Sequence, residues 1–120
     1  MHWWFRKLWK NILYSDFEKV ELRVRIVKDV LDFEKAKKPT YKIFVDFGPE
    51  IGLKKTSAQI AINYKKEELI GKYVIGVLNL GEKNIAGFTP EFLLTGFKDL
   101  NGNVVISTVD KPVLIGEKLF

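Results

Sequence analysis

The chain contains no cysteine and a single histidine, His2, at its start. Disulfides, thiolate metal sites and a cysteine nucleophile are therefore excluded, and Ser-His or Cys-His catalytic arrangements are impossible away from His2. The carboxylates are scattered singly among lysines rather than paired in an acid/base spacing. No Gly-rich phosphate loop, EF-hand or His-Glu-x-x-His pattern occurs either. An enzyme built on a lone carboxylate such as Asp46 would lack a partner acid, base or metal cluster, and Asp46 is better used in the turn into Gly48-Pro49. The composition therefore points to a binding protein with no metal and no cofactor, not to an enzyme.

No stretch of about eighteen apolar residues is present, so nothing reads as a membrane-spanning helix. In residues 1–14 the apolar positions are interrupted by Arg6, Lys7 and Lys10, and no small-residue cleavage site follows. This is not an export signal, and the expected compartment is cytoplasmic. As a helix, the segment places Phe5, Leu8, Trp9 and Ile12 on one face, with Trp4 and Leu13 at its edges and the basic residues opposite. Such an aromatic, basic amphipathic helix can lie on an anionic membrane surface. Packing on its own domain or on a twin subunit is the preferred reading, since apolar helix faces mostly serve packing.

What the chain does have is positive charge: a net charge of +5, with lysine supplying 17 of the 20 basic residues. Lysines neutralise phosphates and release counterions, which favours a nucleic-acid partner. The same Lys- and Glu-rich, amide-poor composition also marks heat-adapted proteins. The positions of the lysines must decide between the two. At 120 residues the chain forms one small domain, and any larger site has to come from self-association.

Hydrophobic periodicity gives the elements. Ser15-Asp16-Phe17-Glu18 reads as a capping box on a short helical turn. Val20, Leu22, Val24 and Ile26 alternate with Glu21, Arg23, Arg25 and Val27 as a half-buried strand running toward Val30. Tyr41, Ile43, Val45 and Phe47 form a second strand, stopped by Gly48-Pro49. A third is expected from Leu53 to Ile60, followed by a short helix over 66–70 ended by Gly71. Strand four covers 72–79 and strand five about 92–97. Asn101-Gly102 then turns a hairpin into Val104-Val105-Ile106. The order suits an all-β fold, a five-stranded OB barrel with short helices and extensions at both termini. Residues 1–14 would form the N-terminal helix and residues 15–120 the OB domain.

OB barrels bind ligands, often oligonucleotides, on the face of their middle strands and the loops around it. Lys35, Lys37 and Lys38 precede strand two, Lys42 lies on its polar face, Lys54 and Lys55 fall on strand three, and Lys83 follows strand four. Lys65, Lys66, Lys98, Lys111 and Lys118 have no such placement and read as surface charges. Asn79, at the end of strand four and near Lys83 and Asn84, reads as part of a binding surface. Glu21 and Arg23 either pair across the sheet or contact RNA.

Glu21-Leu22-Arg23-Val24 resembles the acidic-x-Arg-Val opening of the tRNA-binding domain family. Phe17-Glu18-Lys19-Val20, Ala36-Lys37-Lys38-Pro39, Asp46-Phe47-Gly48-Pro49-Glu50-Ile51-Gly52, Ser57-Ala58-Gln59-Ile60, Glu67-Glu68-Leu69-Ile70-Gly71 and the final Gly116-Glu117-Lys118-Leu119-Phe120 are similar to its CsaA branch, named as an export-related chaperone. The likeness covers roughly 16–120. Arg25 stands where the pattern has Gly, Gly81-Glu82 where it has Pro-Pro, and Pro90 where it has Ser. The resemblance implies an OB-fold homodimer, with the chain ends contributing to its interface, that binds tRNA rather than catalysing a reaction. It assigns Asn79, Lys83 and Asn84 to a loop facing RNA, and Lys38, Lys42, Lys54, Lys55 and Gln59 to the same groove. Lysines would meet phosphates, while the amides read base edges. The alternative it carries is a chaperone that holds unfolded or secretory polypeptides in that groove.

Overall fold

The structure is a computed structural model and describes residues 10–81 and 86–120. Its organising element is β1 (Leu22–Asp32), long enough to pair with different neighbours along its length. Its second half, Ile26 to Asp32, pairs antiparallel with β2 (Tyr41–Asp46), and its first half, Leu22 to Ile26, with β4 (Tyr73–Val77). With β3 (Leu53–Ala58) beyond β2 and β5 (Leu93–Leu94) beyond β4, the sheet order is β3-β2-β1-β4-β5. Its two edges meet where Glu91 N–H donates to Lys55 O at 2.8 Å and the Thr56 hydroxyl to Phe92 O at 2.6 Å. The sheet is thereby curled into the nearly closed five-stranded barrel expected of an OB fold.

Inside lie Val27, Val30, Ile43, Val45, Phe47, Val74 and Phe92. The alternation expected of β2 is observed, with Tyr41, Ile43, Val45 and Phe47 buried. In β1 it is not: the register shifts between Val27 and Asp29. The bulge lets Val27, opposite Val45, and Val30, opposite Ile43, both face the core, whereas Ile26 is only half-buried and Val24, opposite Ile75, is buried outside that core, beside Leu119 and Phe120. Arg25, the departure from the family pattern, has a structural place. Its guanidinium donates to Asp46 O and lies 3.8 Å from the Asp46 carboxylate. Asp46 also accepts the Gly48 N–H at 2.8 Å, the turn role expected of it.

The helix α2 (Lys66–Leu69) closes one end of the barrel with the fully buried Leu69, and Gly71 turns the chain back at φ +88°. The fifth strand expected over 92–97 is interrupted at Thr95. Its first part, β5, pairs with β4, and its second, β6 (Gly96–Lys98), forms a hairpin with β7 (Val104–Ile106). Thr95 makes the break, because its N–H and hydroxyl both donate to Ile75 O, at 3.0 and 2.8 Å. Asp99 organises the hairpin turn by accepting N–H groups of Asn101 and Asn103, each at 2.9 Å.

At the N-terminus, α1 (Tyr14–Glu18) begins after Leu13, two residues before the expected cap. The carboxylate half of the cap comes from Asp16, which accepts the Leu13 N–H at 3.4 Å, and Ser15 lies inside the helix. Residues 10–13 are not helical. The rest of the helix expected over 1–14 lies outside the described residues. Among the described residues, no helix is long and apolar enough to cross a membrane. The C-terminal segment adds to the edge of β1 that β2 leaves open, with Gly116 N–H donating to Val24 O at 2.7 Å and Leu119 N–H to Leu22 O at 2.8 Å.

Candidate nucleic-acid interface

Side chains on a strand alternate between faces. On β2, Tyr41, Ile43 and Val45 point into the barrel, which puts Lys42 and Phe44 outside. Across the ladder, Lys42 faces Ser57 and Phe44 faces Lys55, so Lys42 and Lys55 share the outer face. There they meet two phenylalanines from loops 55 positions apart in the sequence. Phe33 follows β1 and Phe88 precedes β5; their ring centroids are 5.3 Å apart and both are buried. The Lys42 ammonium lies 4.9 Å from the Phe33 centroid and 5.4 Å from that of Phe88, and the Lys55 ammonium lies 5.2 Å from the Phe88 centroid. These are cation–π distances.

A cavity of about 740 Å³ adjoins this cluster through Phe33 and Ser57. Lys38 and Gln59 line it, with Lys35 and Lys37 also on its wall and Ile60 and Leu94 among its apolar lining. Four of the residues singled out in the sequence, Lys38, Lys42, Lys55 and Gln59, thus belong to one continuous surface.

Lys54 does not. It opposes Val45 and shares the inward phase of Thr56, so it sits at the barrel mouth. There it lines a second groove of about 670 Å³ with Glu21, Leu78, Leu80, Glu91 and Phe92. Asn79 is occupied inside the molecule: its side-chain carbonyl accepts the Glu21 N–H at 2.9 Å and its amide donates to Lys19 O. It brackets the start of β1 to the end of β4. Lys83 and Asn84 lie outside the described residues.

Two lysines read as plain surface charges are in ion pairs. Lys66 meets Asp32 at 2.9 Å. Lys118 meets Glu21 at 3.0 Å and donates to Glu18 O at 2.7 Å. Arg23 binds the same carboxylate at 3.0 Å and donates to Gly116 O at 3.1 Å. The hydrogen bond from Lys118, and then that from Arg23, hold the Glu21 carboxyl below its usual pKa. This trio fastens the C-terminal segment to β1, and Glu21 and Arg23 pair with each other two residues apart along the chain rather than across the sheet.

Phe33 and Phe88 were not indicated by periodicity, because neither belongs to an alternating or helical run of apolar residues. The only available signal was an aromatic at a place where solvated turn residues were expected, as in Asp32-Phe33-Glu34. Among the described residues, no group of three or more His, Asp or Glu side chains is placed to hold a metal ion. Chemically, the outer face offers ammonium groups that have no ion-pair partner among the described residues, with amides and apolar ring surface, which suits phosphates and bases.

A family model described as "Putative tRNA binding domain" matches residues 22–118. The crystal structure of a CsaA chaperone protein from Picrophilus torridus is 45% identical, covers 92% of this chain and 100% of its own, and superposes with a TM-score of 0.83. The CsaA chaperone of Bacillus anthracis is 33% identical over 92% of this chain and 100% of its own, with a TM-score of 0.84. Methionine–tRNA ligase of Methanocaldococcus jannaschii is 37% identical over 110 residues, 92% of this chain but 16% of the ligase. The chain thus spans about one-sixth of that enzyme's length.

Proposed function

The chain belongs to the tRNA-binding domain family, and on that premise we propose that it binds tRNA through the outer face carrying Lys38, Lys42, Lys55 and Gln59, as a binding module rather than an enzyme. The observation that carries this reading is the convergence of Lys42 and Lys55 on one buried ring, Phe88. Lys83 and Asn84 follow Asn79 in the chain and extend the surface in this proposal. Asn79 holds the base of their loop, and Lys54 contributes charge only from the neighbouring groove.

The protein acts as a cytoplasmic homodimer in this reading. Leu114 and Phe120 are 75% and 98% exposed. Beside them Leu22, Val24, Ile75, Val113 and Leu119 line an apolar hollow. Exposed apolar surface of this kind favours association. Sedimentation of the protein should give twice the chain mass, and replacing Leu114 and Phe120 by serine should give the monomer.

A second reading, a chaperone for unfolded or export-bound polypeptide, is favoured by the second groove. Leu78, Leu80 and Phe92 supply its apolar lining, and Lys54, Glu21 and Glu91 its charges of both signs. Titration with total tRNA across a range of salt, and with an unfolded polypeptide as competitor, decides between them. RNA binding that weakens steeply with salt and resists the polypeptide supports the first. Tight polypeptide binding with none to tRNA replaces it with the second.

A further inference from the structure

Among the described residues, three lysines are held in ion pairs: Lys19 with Asp16, Lys66 with Asp32 and Lys118 with Glu21. A carboxylate that orders a lysine also cancels its charge, and such a lysine has little left to offer a phosphate. Lys42 and Lys55 are held differently. Their ammonium groups sit over phenylalanine rings, and among the described residues neither has a carboxylate at ion-pair distance. A ring orders the ammonium and leaves its full charge in place.

Phe88 is the shared element. Because both ammonium groups lie within 5.4 Å of its centroid, they are no more than about 10.6 Å apart, the sum of their two distances. Two like charges within this distance repel each other to an extent that salt screens, and an anion seated between them is attracted by both. Each lysine also has a flexible stem whose ordering opposes binding. We propose that Phe88 is a positioning residue that holds Lys42 and Lys55, in advance and unneutralised, as a paired subsite for RNA backbone phosphate. Phe33 backs it by packing on Phe88 and reaching Lys42 a second time. The inference rests on the RNA-binding reading and adds the residue that organises its charge.

The test uses full-length protein, total tRNA as the probe, and two substitutions. Phe88→Leu keeps the apolar volume and removes the ring face; Phe88→Tyr keeps the ring. Loss of the ring should weaken tRNA binding about threefold to tenfold, with the tyrosine variant within about twofold of the parent. In a K42A/K55A background, Phe88→Leu should cause no further loss, because the residue acts through those lysines. Equal loss in that background makes Phe88 a mere loop support and overturns the proposal, as does a leucine variant that binds like the parent. Should Phe88→Leu fail to fold, proton NMR of the parent and of Phe88→Tyr decides: ring currents should move the ε-methylene protons of Lys42 and Lys55 upfield, and unshifted signals overturn it. Absence of tRNA binding by the parent overturns the underlying reading as well, so the two failures are distinguishable.

Discussion

Asn79 and Glu21 are 58 positions apart in sequence and joined by a single hydrogen bond, from the Glu21 N–H to the Asn79 side-chain carbonyl at 2.9 Å. The same amide donates to Lys19 O, and next to it Leu78 N–H donates to Glu21 O at 2.9 Å. An amide is suited to this bracket because it accepts and donates at once.

Asn79→Ala should therefore act on stability more than on RNA affinity. The loss should be about 1 kcal/mol, the net worth of such hydrogen bonds, seen as a fall of a few degrees in melting temperature. A tRNA titration of the same variant should shift less than that of Lys42→Ala. The reverse pattern would make Asn79 a direct reader of RNA.

Lys42→Ala and Lys55→Ala should each weaken tRNA binding and leave the melting temperature nearly unchanged, since both lie on the outer face. Each should also lower the slope of log affinity against log salt by about one, one phosphate contact fewer. Lys118→Ala should leave that slope unchanged and instead loosen the C-terminal segment. Equal effects of Lys118 and Lys42 would place the RNA elsewhere.

Docking of the C-terminal segment should depend on acid pH. The Glu21 carboxyl is held below its usual value by Lys118 and Arg23, so the folded pKa is the lower one. The stabilisation is complete above the usual glutamate value of about 4.3 and is lost as pH falls through the folded value. Exchange of the Gly116 and Leu119 amides, which bond to Val24 O and Leu22 O, should accelerate in that acid range relative to the core amides. Glu21→Gln should remove the difference.

Gly76→Ala should destabilise the barrel. A Cβ at this position would lie 2.8 Å from the Phe92 ring and 3.3 Å from that of Phe47. Those rings pack edge to face at 5.0 Å in the core, so they have little room to yield. The expected cost is about 1–3 kcal/mol, measured as a lower midpoint of denaturant unfolding at unchanged slope.

The readings that agree with the fold rested on neighbours in the chain. Tyr41, Ile43, Val45 and Phe47 share a face because the strand period is two, and Gly71 ends the helix before it because it can take positive φ. The Asn101-Gly102 turn likewise depends on its own backbone and the nearby Asp99. The readings that differ failed at register. The inward position passes to Val27 where the pairing of β1 changes from β4 to β2, leaving the expected Ile26 half-buried, and the pull of Ile75 O on Thr95 divided one expected strand between two sheets. Neither event leaves a mark in local periodicity.

The site divides in the same way. Lysine-rich segments, the lack of cysteine and the tRNA-binding motifs are properties of residue type and order, so the sequence alone determined the sign of the net charge and the family. The tertiary structure decided which lysines lie together: pairing between β2 and β3 put Lys42 and Lys55 on one face and turned Lys54 to the other. It also brought Phe33 and Phe88 together beneath them and used Asn79 and Lys118 to tie distant segments. Those choices depend on contacts between residues far apart in sequence, whose distances are set only when the barrel closes.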